Sequence, residues 1–289
     1  MTTALYSALY SAALPYFEDF LASLDAQTDA DFELWLSLDA VDEQQIRRRL
    51  GDRPAQLLDV TGKNVASARD ISLQRVCEHS DIVILVDSDD LLLPERVASA
   101  KRALENAQIY GCALELMNAQ AQALGLRFGL ESPPPNWRDF LTKVNVFGLS
   151  NTAYRSETLA SCLGLPADVR AVDWLLITRA LWQGASLTFD SEPHMRYRQY
   201  PTNTAKVIAP YSPEDLHKAT ELVLNHYAYV LNDINSDAHR IRQTQAQTFA
   251  KTMQHPAKRQ LYLEALNRHK KVFYWWECVA QPELEALWT

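Results

Sequence analysis

The stretch Asp81-Ile82-Val83-Ile84-Leu85-Val86-Asp87-Ser88-Asp89-Asp90 decides the fold. Its unbroken apolar run, rich in β-branched side chains and closed by acids, predicts a strand buried on both faces of a largely parallel sheet. Ligands of open α/β sheets gather beyond the carboxyl ends of such strands. Carboxylates crowded there repel one another unless a cation intervenes, and Mg2+ is held by one or two carboxylates together with phosphate oxygens. The run therefore points to a metal-bound phosphate ligand. An acidic loop favouring the positive end of a helix that begins near Pro94 accounts for the same residues equally well.

Working outward, the N-terminal half alternates strand-like and helix-like segments as a βαβ architecture requires. Thr3–Tyr10 reads as a strand, and a helix from Pro15 carries Phe17, Phe20, Leu21 and Leu24 on one face. Phe32–Leu38 and Ala55–Val60 read as strands, with helices over Gln44–Leu50 and Asn64–His79. Beyond Pro94–Asn106, a helix, come strands at Ile109–Met117, around Val144–Tyr154 and near Ser186–Phe189. Asn136 is placed to cap a short helix, and Val172–Trp182 reads as another. From Ser212 onward the periodicity is helical. Ser212-Pro213-Glu214-Asp215 combines a capping serine, proline at the first helical position and early acids. A boundary near residue 210 then divides the chain into residues 1–210 and 211–289.

Composition narrows the function. The 289 residues, 47% hydrophobic and 22% charged, suit a globular chain with one large core. A net charge of −8 argues against general nucleic-acid binding. Cys77, Cys112, Cys162 and Cys278 show no metal-ligand or disulfide spacing, and no apolar stretch approaches the roughly 20 residues of a transmembrane helix. The expectation is a cytoplasmic protein with free thiols.

With these elements in order, residues 3–205 resemble the bacterial-type family 2 glycosyltransferases of the GT-A fold. The likeness rests on Phe17–Thr28 with Asp31–Leu34, on Ala68-Arg69 within Asn64–Asp70, and on the D-x-D element Asp87-Ser88-Asp89-Asp90. Val172-Asp173-Trp174 and Tyr197–Asn203 extend it. Tyr10-Ser11-Ala12 stands where the family usually has an asparagine after its aromatic residue. Leu38–Asp42 replaces the usual Asp-Asp-Gly-Ser, Val172 a frequent glutamate, and Tyr200 a frequent histidine.

The resemblance implies an α/β GT-A fold, a Rossmann-like mixed sheet, with a helical C-terminal extension. It also implies an inverting, metal-dependent transfer from a UDP- or dTDP-sugar to a glycan or lipid-linked glycan, in bacterial surface polysaccharide or glycoconjugate synthesis. Asp87 and Asp89 would hold Mg2+ or Mn2+. Tyr10, Ser11, Asp39, Arg69, Asp87, Ser88, Arg196 and Arg198 would line the nucleotide sugar, and Asp173 would be the base. A non-catalytic nucleotide-sugar-binding protein is the alternative, and a haloacid dehalogenase-type phosphatase a weaker one, because some 80 residues of βαβ sequence precede the acidic element.

The residues support these roles to different degrees. Asp39 ends a strand at the same sheet edge as Asp87, where it could accept from a pyrimidine imide or cap the next helix. Arg69 could serve a diphosphate or simply pair with Asp87. In an extended chain Asp87 and Asp89 share a side and Ser88 opposes them, while Asp90 is free to cap the following helix. Asp173, between apolar neighbours at a helix start, is either a dipole partner or a partly desolvated base. Arg196 and Arg198 share a face and could close on phosphates, or be solvated. His194 is left outside the core assignment. Finally, Arg268–Lys271 followed by Phe273-Tyr274-Trp275-Trp276 suits either a docked terminal helix or peripheral contact with the inner face of a membrane.

Overall fold

The computed structural model describes residues 1–200, 203 and 205–289. Pro201 and Thr202 of the late motif lie outside the described residues. The chain runs β1 (Thr3–Tyr10), α1 (Phe17–Asp25), β2 (Glu33–Asp39), α2 (Glu43–Leu50), β3 (Ala55–Asp59), α3 (Val65–Cys77), β4 (Ile82–Leu85) and β5 (Leu91–Leu92). It continues through α4 (Arg96–Ala103), β6 (Ile109–Asn118), β7 (Ala123–Phe128), α5 (Trp137–Leu141), β8 (Thr152–Arg155), α6 (Ser156–Ser161), α7 (Val172–Trp182) and β9 (Leu187–Gln199). Three helices follow, α8 (Pro213–Asp233), α9 (Asp237–Met253) and α10 (Pro256–Leu266).

The strands form one mixed sheet in the order β3-β2-β1-β4-β8-β6-β9-β5, and β7 also pairs with β6. The left half is parallel, as its βαβ sequence requires. β8 then reverses the direction, pairing antiparallel with both β4 and β6. Every residue of β4 is buried, so its apolar run is explained by coverage on both faces. Pairing of Tyr10 with Asp39, and of Leu38 with Asp59, brings the carboxyl ends of β1, β2 and β3 to one edge.

Several sequence expectations change. The strand around Val144–Tyr154 shrinks to Thr152–Arg155, because Asn145 and Asn151 fold the preceding residues into a loop. Asn151 alone donates to Cys112 O (2.6 Å) and Val146 O (2.9 Å) and accepts from Gly148 N (2.7 Å). The strand near Ser186–Phe189 instead runs on to Gln199, and register shifts at Cys112/Ala113 and Ala113/Leu114 let Pro193 sit in a ladder it would otherwise interrupt. β7 and α6 had no counterpart in the sequence reading.

The helical region begins as its sequence predicts. Ser212 and Asp215 form a reciprocal capping box, with Asp215 N–H donating to Ser212 Oγ at 3.1 Å and Ser212 N–H to Asp215 Oδ2 at 2.8 Å. α8 packs on α7 through Trp174 and His226, whose rings stack at 3.8 Å and 8°. Tyr227 Oη donates to Thr142 O at 2.8 Å, and Arg179 Nε to Asp233 Oδ2 at 2.7 Å.

Past Leu266, however, the chain is not a long helix. Residues 272–276 form an irregular strip carrying two antiparallel bridges, Asn145 with Trp275 and Ile208 with Val272. Phe273, Trp275 and Trp276 are buried, so the aromatic half of the basic-aromatic segment serves the interior. Among the described residues no helix is long and apolar enough to cross a membrane.

Candidate functional site

β4 stops at Leu85, and Asp87–Asp90 form a tight turn closed by Asp90 N–H to Asp87 O at 3.1 Å. The three carboxylates therefore do not alternate as in a strand, and each meets a different environment. The Ser88 hydroxyl, expected at the nucleotide sugar, instead donates to Ala8 O at 2.7 Å, tying the turn to β1. That hydroxyl is committed to the scaffold.

Asp90 is buried and caps no helix. It accepts from Arg198 N–H at 2.8 Å and from the Ser150 hydroxyl. Burial, with Asp89 and Asp87 nearby, raises its pKa well above the ordinary carboxylate value. Asp89 accepts from the Tyr200 hydroxyl.

Asp87 is the most open of the three, its side chain 34% exposed. Its N–H donates to Ser150 Oγ at 3.0 Å, and the Ser150 hydroxyl lies 3.2 Å from Oδ2. Burial pushes its pKa up to about 6, opposed by Arg69 and reinforced by Asp89.

Arg69 reaches this carboxylate from the first turns of α3, which Asn64 caps by accepting Ser67 N–H at 2.8 Å. Its Nη2 stands 3.8 Å from Asp87 Oδ1, while its Nε is buried with no hydrogen-bond partner among the described residues. A guanidinium with an unmet donor beside a loosely paired carboxylate is poised for an anionic ligand.

Asp173 enters from the first turn of α7. Its Oδ2 accepts from Asn145 Nδ2 at 3.1 Å. Desolvation pushes its pKa up to about 6, against the Trp174 N–H and the Arg69 charge and with the Asp87 charge. Asn145 is itself fully buried and fixed, donating to Phe147 O (2.8 Å), accepting from Phe147 N (2.9 Å), and bridged by its backbone to Trp275 at 3.2 and 3.1 Å.

Tyr10 ends β1 opposite Asp39, and burial with the charges of Asp89 and Asp87 raises its pKa. Ser11 follows, exposed, at the start of a 3-10 turn over Ser11–Tyr16. Asp39 is half-buried at the same edge. Tyr10, Ser11, Asp39, Arg69, Asp87 and Asp173 thus gather around the carboxyl ends of the parallel strands.

The two arginines of β9 part company with that group. Arg198 is fully buried beneath the acidic turn. Its Nε donates to Asp89 O (2.7 Å), Nη1 to Ala119 O (2.8 Å) and Nη2 to Asp19 Oδ2 (3.2 Å), and the guanidinium lies 4.4 Å from the Tyr16 ring centre. It holds the turn's shape and is not free to close on phosphates. Arg196 is engaged by Glu115 at 3.0 Å and is half-exposed. His194 Nε2 lies 2.9 Å from Asp190 Oδ2.

Among the described residues, no three His, Cys, Asp or Glu side chains converge as a ready cation cage. The donor set nevertheless fits a hard divalent ion that takes phosphate oxygens and water as its remaining ligands, because such ions are commonly held by one or two carboxylates. Asp87 is the carboxylate of the turn open enough to serve as such a ligand. Its carboxylate is partly desolvated and is flanked by a second acid.

Asn145, Ser150 and Tyr16 escaped the sequence reading. They act on acids 28 to 63 residues away in the chain or on a ring from the late motif, and no local pattern marks such partners.

No protein-family model and no curated protein matches the sequence. Solved structures do. The chain resembles S. aureus TarS 1-349 with a TM-score of 0.59 at 14% identity, covering 100% of this chain and 78% of that one. The complex of TarS 1-349 with UDP-GlcNAc gives 0.57 at 16% identity, with 100% and 78% coverage. Mannosyltransferase PcManGT from Pyrobaculum calidifontis, in complex with GDP-Man and Mn2+, gives 0.58 at 16%, with 93% and 76% covered. Against a longer TarS chain the match spans only 43% of that protein's length. The mixed sheet with its flanking helices is therefore the Rossmann-like α/β fold of those solved structures, here carrying a helical C-terminal region.

Proposed function

We propose that the protein is a glycosyltransferase that takes a sugar from a nucleotide-diphosphate donor and passes it to an acceptor hydroxyl. The carrying observation is the convergence of Arg69, Asp87 and Asp173, from α3, the β4 turn and α7, at the carboxyl edge of the parallel strands. Structural neighbours named as complexes with UDP-GlcNAc and with GDP-Man and Mn2+ support the reading.

In this reading the base of the nucleotide lies over Tyr10, Ser11 and Asp39, with Asp39 accepting from an imide N–H. Arg69 orients the diphosphate through the Nη donors it does not spend on the protein. Asp87, with Asp89, would hold Mg2+ or Mn2+, and such an ion would supply positive charge to offset that of the departing diphosphate. Asp173 accepts the proton of the attacking hydroxyl. Desolvation makes it a stronger base than a solvated aspartate, and Asn145 fixes the direction of its carboxylate. A base opposite the leaving group fits inversion at the anomeric carbon.

Domain division near residue 210, a glycan or lipid-linked acceptor, and a place in polysaccharide synthesis belong to the same proposal. Peripheral contact with a membrane would use the basic residues Arg268–Lys271, since the aromatics beside them are buried.

Calorimetry with UDP, dTDP and GDP tests it. Binding of one diphosphate in Mn2+ is expected to weaken at least about tenfold in EDTA, in Asp87→Ala and in Arg69→Ala. Failure of all three nucleotides to bind would sink the proposal. Binding without turnover on any acceptor would favour a nucleotide-sugar-binding protein instead.

A further inference from the structure

Three tyrosines from distant parts of the chain meet above Asp89. Tyr200, at the end of β9, donates its hydroxyl to the Asp89 carboxylate. The Tyr16 ring stacks on the Tyr200 ring, with centres 5.6 Å apart and planes 26° from parallel. The Arg198 guanidinium lies on Tyr16 at 4.4 Å and binds the Asp89 carbonyl oxygen at 2.7 Å. Tyr10 lies near the Tyr200 phenol on the β1 side. The phenol is thus held in place by a stacked ring, and that ring is held by a buried arginine.

An isolated buried carboxylate needs either a cation or a donor. Asp90 has Ser150 and the Arg198 N–H, and Asp87 has Arg69 and Ser150. Asp89 has Tyr200, a neutral donor carried on the strand end that leads into the late motif. A divalent ion would satisfy Asp89 more fully than a phenol does, but only by displacing it.

We infer that Tyr200 is an internal stopper on Asp89: its hydroxyl occupies the carboxylate in the ligand-free protein and must leave before Asp89 joins Asp87 on a divalent cation. The inference rests on the donor-binding reading given above and assigns that site a built-in resistance to the cation alone. With nucleotide present, phosphate oxygens add ligands and the exchange becomes favourable. Cation and nucleotide would then bind cooperatively, each favouring the state with Tyr200 withdrawn.

Mn2+ binding followed by loss of the free-ion electron paramagnetic resonance signal, with no nucleotide present, tests this directly. Tyr200→Phe is expected to bind Mn2+ about tenfold or more tightly than the wild type, since a charge-assisted hydrogen bond no longer opposes the ion. The gain is expected to vanish in an Asp89→Asn background. Tyr16→Leu, which removes the stacked ring and keeps the phenol, is expected to give a smaller gain in the same direction. Equal or weaker Mn2+ affinity in a Tyr200→Phe protein that melts normally would overturn the inference. If that variant does not fold, unchanged affinity in Tyr16→Leu would do so. Absence of Mn2+ binding in every variant while UDP still binds overturns the stopper and leaves donor binding standing, whereas loss of UDP binding in the wild type overturns both.

Discussion

Asp173 shows how much of an acid's chemistry is decided by what lies around it. Its carboxyl titrates near 6 because burial disfavours the charge, whereas a solvated aspartate ionises near pH 4. A base must be deprotonated to act, so kcat/KM is expected to rise with pH along a limb near 6 and to be flat above it. Asn145→Ala removes a donor that favours the ionised form, so the limb is expected to move to higher pH. A pH–rate profile of the two proteins checks both statements. Asp173→Asn preserves the shape and the contact with Asn145 but cannot take a proton. Turnover is expected to fall about a hundredfold with nucleotide affinity near normal, and single-turnover rates beside calorimetry separate the two. Undiminished turnover would reassign the role. At this scale the sequence was informative about residue type and poor about depth. Alternation put Arg196 and Arg198 on one face, but only the packed structure shows one fully buried beneath the turn and the other on a surface pair with Glu115.

Elements were legible where a local rule sets them. The caps at Asn136 and Ser212 accept the N–H groups their positions imply, and the expected helix Val172–Trp182 has those bounds. Loops fixed from afar were not. Residues 144–151 looked like a strand by composition, yet Asn145 and Asn151 bond them into a loop that delivers Ser150 to Asp87 and Asn145 to Asp173. Gly148 in that loop shows how tightly it is pressed. A Cβ there would come within 2.6 Å of the Trp275 ring. Gly148→Ala is expected to lower stability by about 1–3 kcal/mol, as overpacking does, and Trp275→Phe in the same chain to recover part of it. Chemical denaturation of the single and double variants measures this. An additive pair would show that ring and loop do not press on each other.

Across the whole molecule, the mixed sheet and the helices after residue 212 share one hydrophobic cluster. Trp174 sits fully buried between α7 and α8, next in the chain to Asp173. Ending the chain at residue 210 would strip His226 from that ring and Tyr227 from Thr142, exposing apolar surface on the helix that carries the proposed base. The truncated protein is expected to aggregate or to melt without cooperativity by calorimetry. A sharp, reversible transition would instead mark residues 1–210 as an independent folding unit. The helical region was visible in the sequence as periodicity, but its contact surface was not, because an amphipathic stripe does not name the surface it covers.

The backbone bridge between Asn145 and Trp275 has a further consequence in time. A ribosome releases the N-terminal end first, and the sheet with its acidic turn can begin to assemble while later residues are still being made. Asn145, which aims Asp173, acquires its two backbone partners only when the strip around Trp275 has emerged. The nascent chain thus cannot fix Asn145 through its backbone until that late strip has emerged, and the proposed base would be aimed only then.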